Sequence, residues 1–127
     1  MNKLRKIDNI MFRVKDLEKA ANFYQEQFGL KKVWTDKERK QIGFIFPDSN
    51  SEIVIHTDPS IPNPDFSFLV DDVIAFCEEY KRNGYKVIKE PFDVRPGKFA
   101  LLEDLDGNII QIIDLTKFNN KTRYDSF

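Results

Sequence analysis

Four polar residues at corresponding positions of an internal repeat have the side-chain types that suit binding chemistry. They are Asn9, His56, Asp65 and Gln111, which supply an amide, an imidazole, a carboxylate and a second amide. Side chains alternate between the two faces of a strand, and this alternation predicts that all four lie on the sheet face away from the helices. Burying such a set is costly unless the groups bind water, a metal ion or a ligand. We therefore predict a site where these four side chains converge.

The repeat itself is visible as one pattern that occurs twice. Phe12-Arg13-Val14-Lys15-Asp16-Leu17 aligns with Phe68-Leu69-Val70-Asp71-Asp72-Val73 at a shift of 56 residues. Val54-Ile55-His56 aligns with Ile109-Ile110-Gln111 at a shift of 55 residues. A duplicated module constrains the architecture more firmly than local propensities do.

Each copy has the pattern of a βαβββ module. In the first, a strand over 10–14 is followed by the N-cap Asp16, a helix over 17–28, the helix-ending Gly29, and strands over 30–35, 41–46 and 52–57. In the second, a strand over 66–70 precedes the N-cap Asp72, a helix over 73–83, and strands over 85–89, 98–103 and 108–115. The predicted fold class is α+β, with two βαβββ modules forming a curved mixed sheet around a concave site.

The predicted domain organisation is a single domain over 1–127. Module one spans 5–58, a proline-rich linker spans 59–64, module two spans 65–117, and a polar tail spans 118–127. We expect the tail either to be frayed or to pack on a neighbour. A chain of 127 residues with 41% hydrophobic residues fits one domain of ordinary composition.

Charge and cysteine content exclude several classes of function. With a net charge of −1, the protein has no overall electrostatic attraction to nucleic acid or to an anionic membrane. No stretch approaches the roughly 20 apolar residues of a membrane span, so a cytoplasmic location is the default expectation. A single cysteine, Cys77, excludes an internal disulfide and any multi-cysteine zinc site.

Several further residues are candidates for contact with a ligand. The alternation along its strand places Arg13 on the same sheet face as Asn9. We therefore expect Arg13 either to pair with Asp65 or to bind an anionic substrate. Ser67 has the same parity in the second module. Aromatic residues on or near the predicted sheet are candidates to line a cavity, although core packing is the favoured alternative for most of them: Trp34, Phe44, Phe46 and Phe99.

The chain resembles the vicinal oxygen chelate superfamily, which includes glyoxalase I, bleomycin-resistance proteins, fosfomycin-resistance enzymes and extradiol dioxygenases. The matching stretches are residues 11–17, Phe23-Tyr24, Phe28-Gly29-Leu30 and residues 103–108. The resemblance implies a paired βαβββ fold, often a homodimer, with its site inside the curved sheet.

The resemblance also implies where a metal would bind. Metal-dependent members hold a divalent ion at positions that correspond to Asn9, His56, Asp65 and Gln111. Iron-dependent and fosfomycin-type sites resemble each other in needing two histidines. This chain has one histidine, so neither kind of site is expected in a single chain. A glyoxalase-like site usually carries two glutamates, whereas Asp65 is the only carboxylate among these four positions. Weak octahedral binding of Mn²⁺, Ni²⁺ or Mg²⁺ is one interpretation, and tight binding of Zn²⁺ is less favoured.

The sequence leaves three functions open. The preferred one is a small-molecule-binding protein of the bleomycin-resistance type, acting in resistance or sequestration, with no tightly bound metal. The second is a metal-dependent glyoxalase-like lyase or isomerase acting on a small carbonyl or thiol-conjugate substrate. There Asp65 would be the catalytic base, with a pKa raised by burial. The third is a module that binds a partner through its sheet surface.

Overall fold

The computed structural model describes residues 2–120, which form two compact units. The first unit comprises residues 9–66, and the second comprises residues 2–8 together with 67–120. The predicted α+β class is confirmed, because two α-helices and eight strands occur in the order of two βαβββ repeats. Residues 121–127 of the predicted tail lie outside the described residues. No helix within residues 2–120 has the length and apolar character needed to cross a membrane.

The elements follow the predicted order closely. The first repeat contains β1 (Lys6–Arg13), α1 (Leu17–Phe28), β2 (Lys31–Asp36), β3 (Gln41–Ile45) and β4 (Glu52–His56). The second contains β5 (Asp65–Leu69), α2 (Val73–Arg82), β6 (Val87–Asp93), β7 (Lys98–Glu103) and β8 (Ile109–Ile113). A short 3-10 helix, Thr116–Phe118, follows β8.

Both helices begin after the predicted caps Asp16 and Asp72, and α1 ends at the predicted Gly29, whereas α2 ends at Arg82, one residue before its predicted end. Asp16 accepts a hydrogen bond from the backbone N–H of Lys19 at 3.0 Å, and Asp72 accepts one from Ala75 at 3.0 Å. These bonds satisfy N–H groups that have no partner within the first helical turn. Gly29 ends α1 with φ of 66°, in the left-handed region that favours glycine.

In the first unit the strand order is β2-β3-β4-β1, with β1 and β4 parallel and the other pairs antiparallel. One face packs against α1 through buried apolar residues: Ala21, Leu30, Ile42, Phe44 and Ile55. The register places Ile42 and Phe12 on either side of Ile55, so these residues share that face. The alternation therefore puts Val54 and His56 on the opposite face, as the sequence predicts.

In the second unit the strand order is β5-β8-β7-β6, with β5 and β8 parallel. The cluster under α2 contains Val70, Val73, Cys77, Ala100, Leu102 and Ile112. Val94 and Phe99 pack against a separate buried cluster of Leu69, Ile113 and Leu115.

One buried carboxylate connects three elements of the second unit. Asp114 accepts hydrogen bonds from the backbone N–H of Val73 at 2.7 Å and of Lys98 at 2.9 Å. It also accepts from the backbone N–H and the hydroxyl of Thr116, at 3.2 and 2.8 Å. A side chain at Gly97 would overlap the Asp114 carboxylate. Asp114 therefore joins the start of α2 to β7 and to the end of β8.

Candidate functional site

The candidate site in the first unit is the sheet face turned away from α1. Asn9 of β1 lies beside Glu52 of β4, and Arg13 of β1 lies beside His56. Asn9, Glu52 and His56 are 7%, 2% and 0% exposed. We call these three residues the polar face. Three buried polar side chains on two neighbouring strands are unusual for a sheet face, because each must recover the hydrogen bonds that it loses with water.

His56 is held in a defined orientation by the chain that follows it. Its Nδ1 accepts a hydrogen bond from the backbone N–H of Asp58 at 3.0 Å. Its Nε2 is buried and has no hydrogen-bond partner within the described residues. Burial lowers the pKa of His56 below its ordinary value; the Asp58 and Asp65 carboxylates oppose this shift, and the Arg13 guanidinium adds to it.

The residues present do not fit a metal centre that uses His56. A metal-ligating histidine gives the metal one nitrogen and donates the other N–H to a nearby acceptor. Here Nδ1 is already an acceptor, so the proton of the neutral ring is on Nε2. Within residues 2–120, no group of three or more His, Cys, Asp or Glu side chains is arranged to hold a metal ion.

Arg13 contacts the linker. Its guanidinium donates hydrogen bonds to the carbonyls of Asp58 at 3.3 Å, Pro59 at 3.4 Å and Ile61 at 2.7 Å. Its backbone N–H donates to the side chain of Asn63 at 3.1 Å. Three of its five guanidinium N–H groups are therefore engaged in fixing the segment after β4. We assign Arg13 to this positioning role and leave it out of the proposed ligand contacts.

Glu52 is a site residue that the sequence analysis missed. Its Oε1 accepts a hydrogen bond from the indole N–H of Trp34 at 2.6 Å, and both side chains are buried. The indole lies against Gly43, where any side chain would overlap the Trp34 ring. Because Glu52 is two residues before Val54, strand parity alone could have placed it on the face of His56.

The other predicted site residues occupy different environments. Asp65, at the start of β5, is partly buried in the first unit, and its carboxylate acts on the pKa of His56. Gln111 is partly buried on β8 of the second unit. Ser67, also in the second unit, is buried, and its hydroxyl has no hydrogen-bond partner among the described residues. Phe99 packs on the cluster of Leu69, Ile113 and Leu115.

Phe44 and Phe46 belong to the core under α1. Phe44 is fully buried and stacks on Tyr24 with a ring-centroid distance of 5.8 Å. Phe46 packs against the same cluster. Both lie on the face opposite to His56, because their positions in and after β3 have the parity of Ile42. We therefore leave these two residues out of the proposed site.

A comparison with known families identifies the superfamily to which the two repeats belong. The sequence model of the Glyoxalase/Bleomycin resistance protein/Dioxygenase superfamily matches residues 6–112. The chain belongs to this superfamily. The match includes β1 to β7 and all of β8 except its last residue, Ile113.

Curated relatives of this superfamily member carry lyase names. The chain is 27% identical over 119 residues to a lactoylglutathione lyase of Haemophilus influenzae, covering 82% of this chain and 88% of that protein. It is 29% identical over 128 residues to a probable chloroplastic lactoylglutathione lyase of Arabidopsis thaliana, covering 89% of this chain. The chain spans only 37% of the length of that plant protein.

Solved structures support the fold. A methylmalonyl-CoA epimerase of Mycobacterium tuberculosis is similar with a TM-score of 0.64 at 17% identity, covering 87% of this chain and 88% of that one. A methylmalonyl-CoA epimerase in complex with methylmalonyl-CoA and NH4+ is similar with a TM-score of 0.66 at 18% identity, covering 88% and 95%. At these identities the likeness extends to the fold alone.

Proposed function

We propose that this glyoxalase-superfamily protein binds a small organic molecule at the polar face and does so without a tightly bound metal. The observation that carries the proposal is the burial of Asn9, Glu52 and His56 on one sheet face, with Asn9 beside Glu52 and His56 at the other end of β4. Ligand sites are mostly apolar with a few placed polar groups, and the neighbouring Val54 and Trp34 supply buried apolar surface on the same face. Resistance or sequestration is the proposed biological role.

Ligand binding can be tested directly by thermal stability. The intact protein is incubated with a panel containing bleomycin, S-lactoylglutathione and methylmalonyl-CoA, and the melting temperature is followed. A ligand at a hundred times its Kd stabilises the folded state by about 2.7 kcal/mol. We expect one class of compound to raise the melting temperature, and His56→Gln to weaken its binding by about tenfold, a loss of ~1.4 kcal/mol.

A matched control separates the site from general effects of mutation. Asp48→Asn changes an exposed turn residue and should leave binding unchanged. If the compounds stabilise wild type and His56→Gln equally, the polar face is not the binding surface. A panel that leaves the wild-type melting temperature unchanged at millimolar concentrations would contradict the small-molecule proposal and favour a module that binds a protein partner.

A lyase or isomerase is the second candidate, and the lyase names of the curated relatives favour it. In this case a carboxylate on the site moves a proton between adjacent carbons of the substrate. Asp65 is the proposed base, since its carboxylate acts on His56. The test follows the loss of S-lactoylglutathione with no metal and with Ni²⁺, Mn²⁺, Mg²⁺ or Zn²⁺ added. Turnover that disappears in Asp65→Asn but persists in Asp48→Asn would support this candidate.

We also propose that the protein is a homodimer, as the superfamily resemblance implies. Light scattering on the purified protein should then give twice the chain mass of 15.0 kDa. A mass equal to that of one chain would exclude the dimer at the concentration measured.

A further inference from the structure

We propose that His56 recognises its ligand as a hydrogen-bond donor, so that a position implied to hold a metal in related proteins here binds an uncharged carbonyl oxygen of an organic molecule. This inference deepens the proposed function and rests on it. It follows from the position of one proton, which the surrounding backbone determines.

The proton is placed by the hydrogen bond from Asp58. A backbone N–H can only donate, so the His56 Nδ1 that receives it at 3.0 Å must present a lone pair. A neutral imidazole has one N–H, and it is therefore on Nε2. A metal at Nε2 would need a lone pair on that atom, so the proton of the neutral ring would have to be on Nδ1. There it would point at the N–H of Asp58, and two donors would face each other.

The Asp58 N–H is itself fixed by the linker. The Asp58 carboxylate accepts hydrogen bonds from the backbone N–H of Ser60 at 2.8 Å and from its hydroxyl at 2.7 Å. The Asp58 carbonyl accepts from Arg13 at 3.3 Å. The donor that sets the tautomer is thus held from both sides, and the ring cannot exchange its two nitrogens without breaking this arrangement.

The Nε2–H needs an acceptor. It is buried, and within residues 2–120 no atom accepts from it. Leaving a buried donor without a partner costs about 1–3 kcal/mol. A ligand oxygen that accepts this proton would recover that free energy, which makes the atom a recognition point.

The charges around His56 favour an uncharged acceptor. The groups that act on its pKa are the carboxylates of Asp58 and Asp65 and the guanidinium of Arg13. Two negative carboxylates and one positive guanidinium leave a net negative charge around His56, which disfavours binding of a further anion. The Arg13 guanidinium already donates hydrogen bonds to linker carbonyls. A ketone, amide, ester or thioester oxygen fits this environment better than a carboxylate does.

Nuclear magnetic resonance of the imidazole nitrogens tests the proton position without any ligand. His56 is the only histidine of the chain, so its ¹⁵N signals need no assignment. We expect the Nε2–H tautomer in wild type at neutral pH and in Asp58→Ala, which keeps the backbone N–H. Asp58→Pro removes that N–H and should shift the ring toward the Nδ1–H tautomer. An Nδ1–H tautomer in wild type would overturn the inference.

Metal titration of the same samples gives a second readout. Zn²⁺ and Ni²⁺ at one equivalent should leave the wild-type imidazole signals unchanged, whereas Asp58→Pro should bind Zn²⁺ about tenfold more tightly than wild type. Stoichiometric metal-induced shifts of the wild-type Nε2 signal would overturn the inference. The wild-type spectra decide the question even if Asp58→Pro fails to fold.

Acetamide and acetate serve as probes of similar size for the acceptor class. We expect acetamide to perturb the Nε2 signal at a concentration about threefold lower than acetate does. Tighter binding of acetate would contradict the uncharged acceptor. A correct tautomer without any response to the compound panel would contradict the proposed function alone. Ligand binding by an Nδ1–H ring would contradict only this inference.

Discussion

Replacing Gly43 with alanine should break the hydrogen bond between Trp34 and Glu52. A β-carbon at this position would overlap the indole, including the Nε1 that donates to Glu52 at 2.6 Å. The indole must then move away from the strand, and both buried side chains lose this contact. Trp34 lies opposite Gly43 in the β2–β3 register, so neighbouring strands limit how far the ring can shift.

The magnitude follows from two effects. Overpacking a filled site costs about 1–3 kcal/mol, and leaving a buried polar group without its partner costs a further ~1–3 kcal/mol. We therefore expect Gly43→Ala to lower the free energy of unfolding by about 2–6 kcal/mol, a large share of the roughly 5–15 kcal/mol of a typical domain. Trp34→Phe, which removes only the indole N–H and part of the ring, should cost less.

Urea unfolding provides the measurement. Trp34 is the only tryptophan of the chain, so its fluorescence reports directly on this contact. Gly43→Ala should shift the emission of the folded protein to longer wavelength and lower the urea midpoint. Thr35→Ala, at the exposed neighbouring position, is the control and should change stability by less than about 1 kcal/mol. If Gly43→Ala unfolds within 0.5 kcal/mol of wild type, roughly the spread of a neutral surface change, with unchanged emission, the packing argument is wrong.

Three further predictions concern other groups. Because burial lowers the folded-state pKa of His56, its contribution to stability is complete above pH about 6.5 and is lost as the pH falls below that value, with a slope approaching ~1.4 kcal/mol per pH unit. His56→Gln should therefore reduce the change in the urea midpoint between pH 7 and pH 5. Asp114→Ala removes four hydrogen bonds to a fully buried carboxylate and should cost about 3–5 kcal/mol in urea unfolding, while a cost below ~1 kcal/mol would contradict the role assigned to Asp114. Burial raises the pKa of Cys77 to about 11, so its thiol should react with a disulfide reagent at pH 8 only as fast as the protein unfolds, and rapid labelling of the folded protein would exclude this environment.

Local backbone geometry made much of this architecture predictable. Asp16 and Gly29 mark the ends of α1 because capping depends on the residues at the helix ends themselves. The separation of Ile55 from His56 onto opposite faces follows from the alternation of any strand. The repeat extended the same reasoning to α2 and to the strands of the second unit.

Tertiary structure decided which atoms of those residues meet. The bond between Trp34 and Glu52 joins side chains 18 residues apart, and the Arg13 guanidinium reaches carbonyls 45 to 48 residues away. Parity places a side chain on a face, but its rotamer depends on the neighbours that other strands and loops bring to it. For this reason the sequence alone identified His56 as a candidate, whereas only the folded linker placed its proton on Nε2.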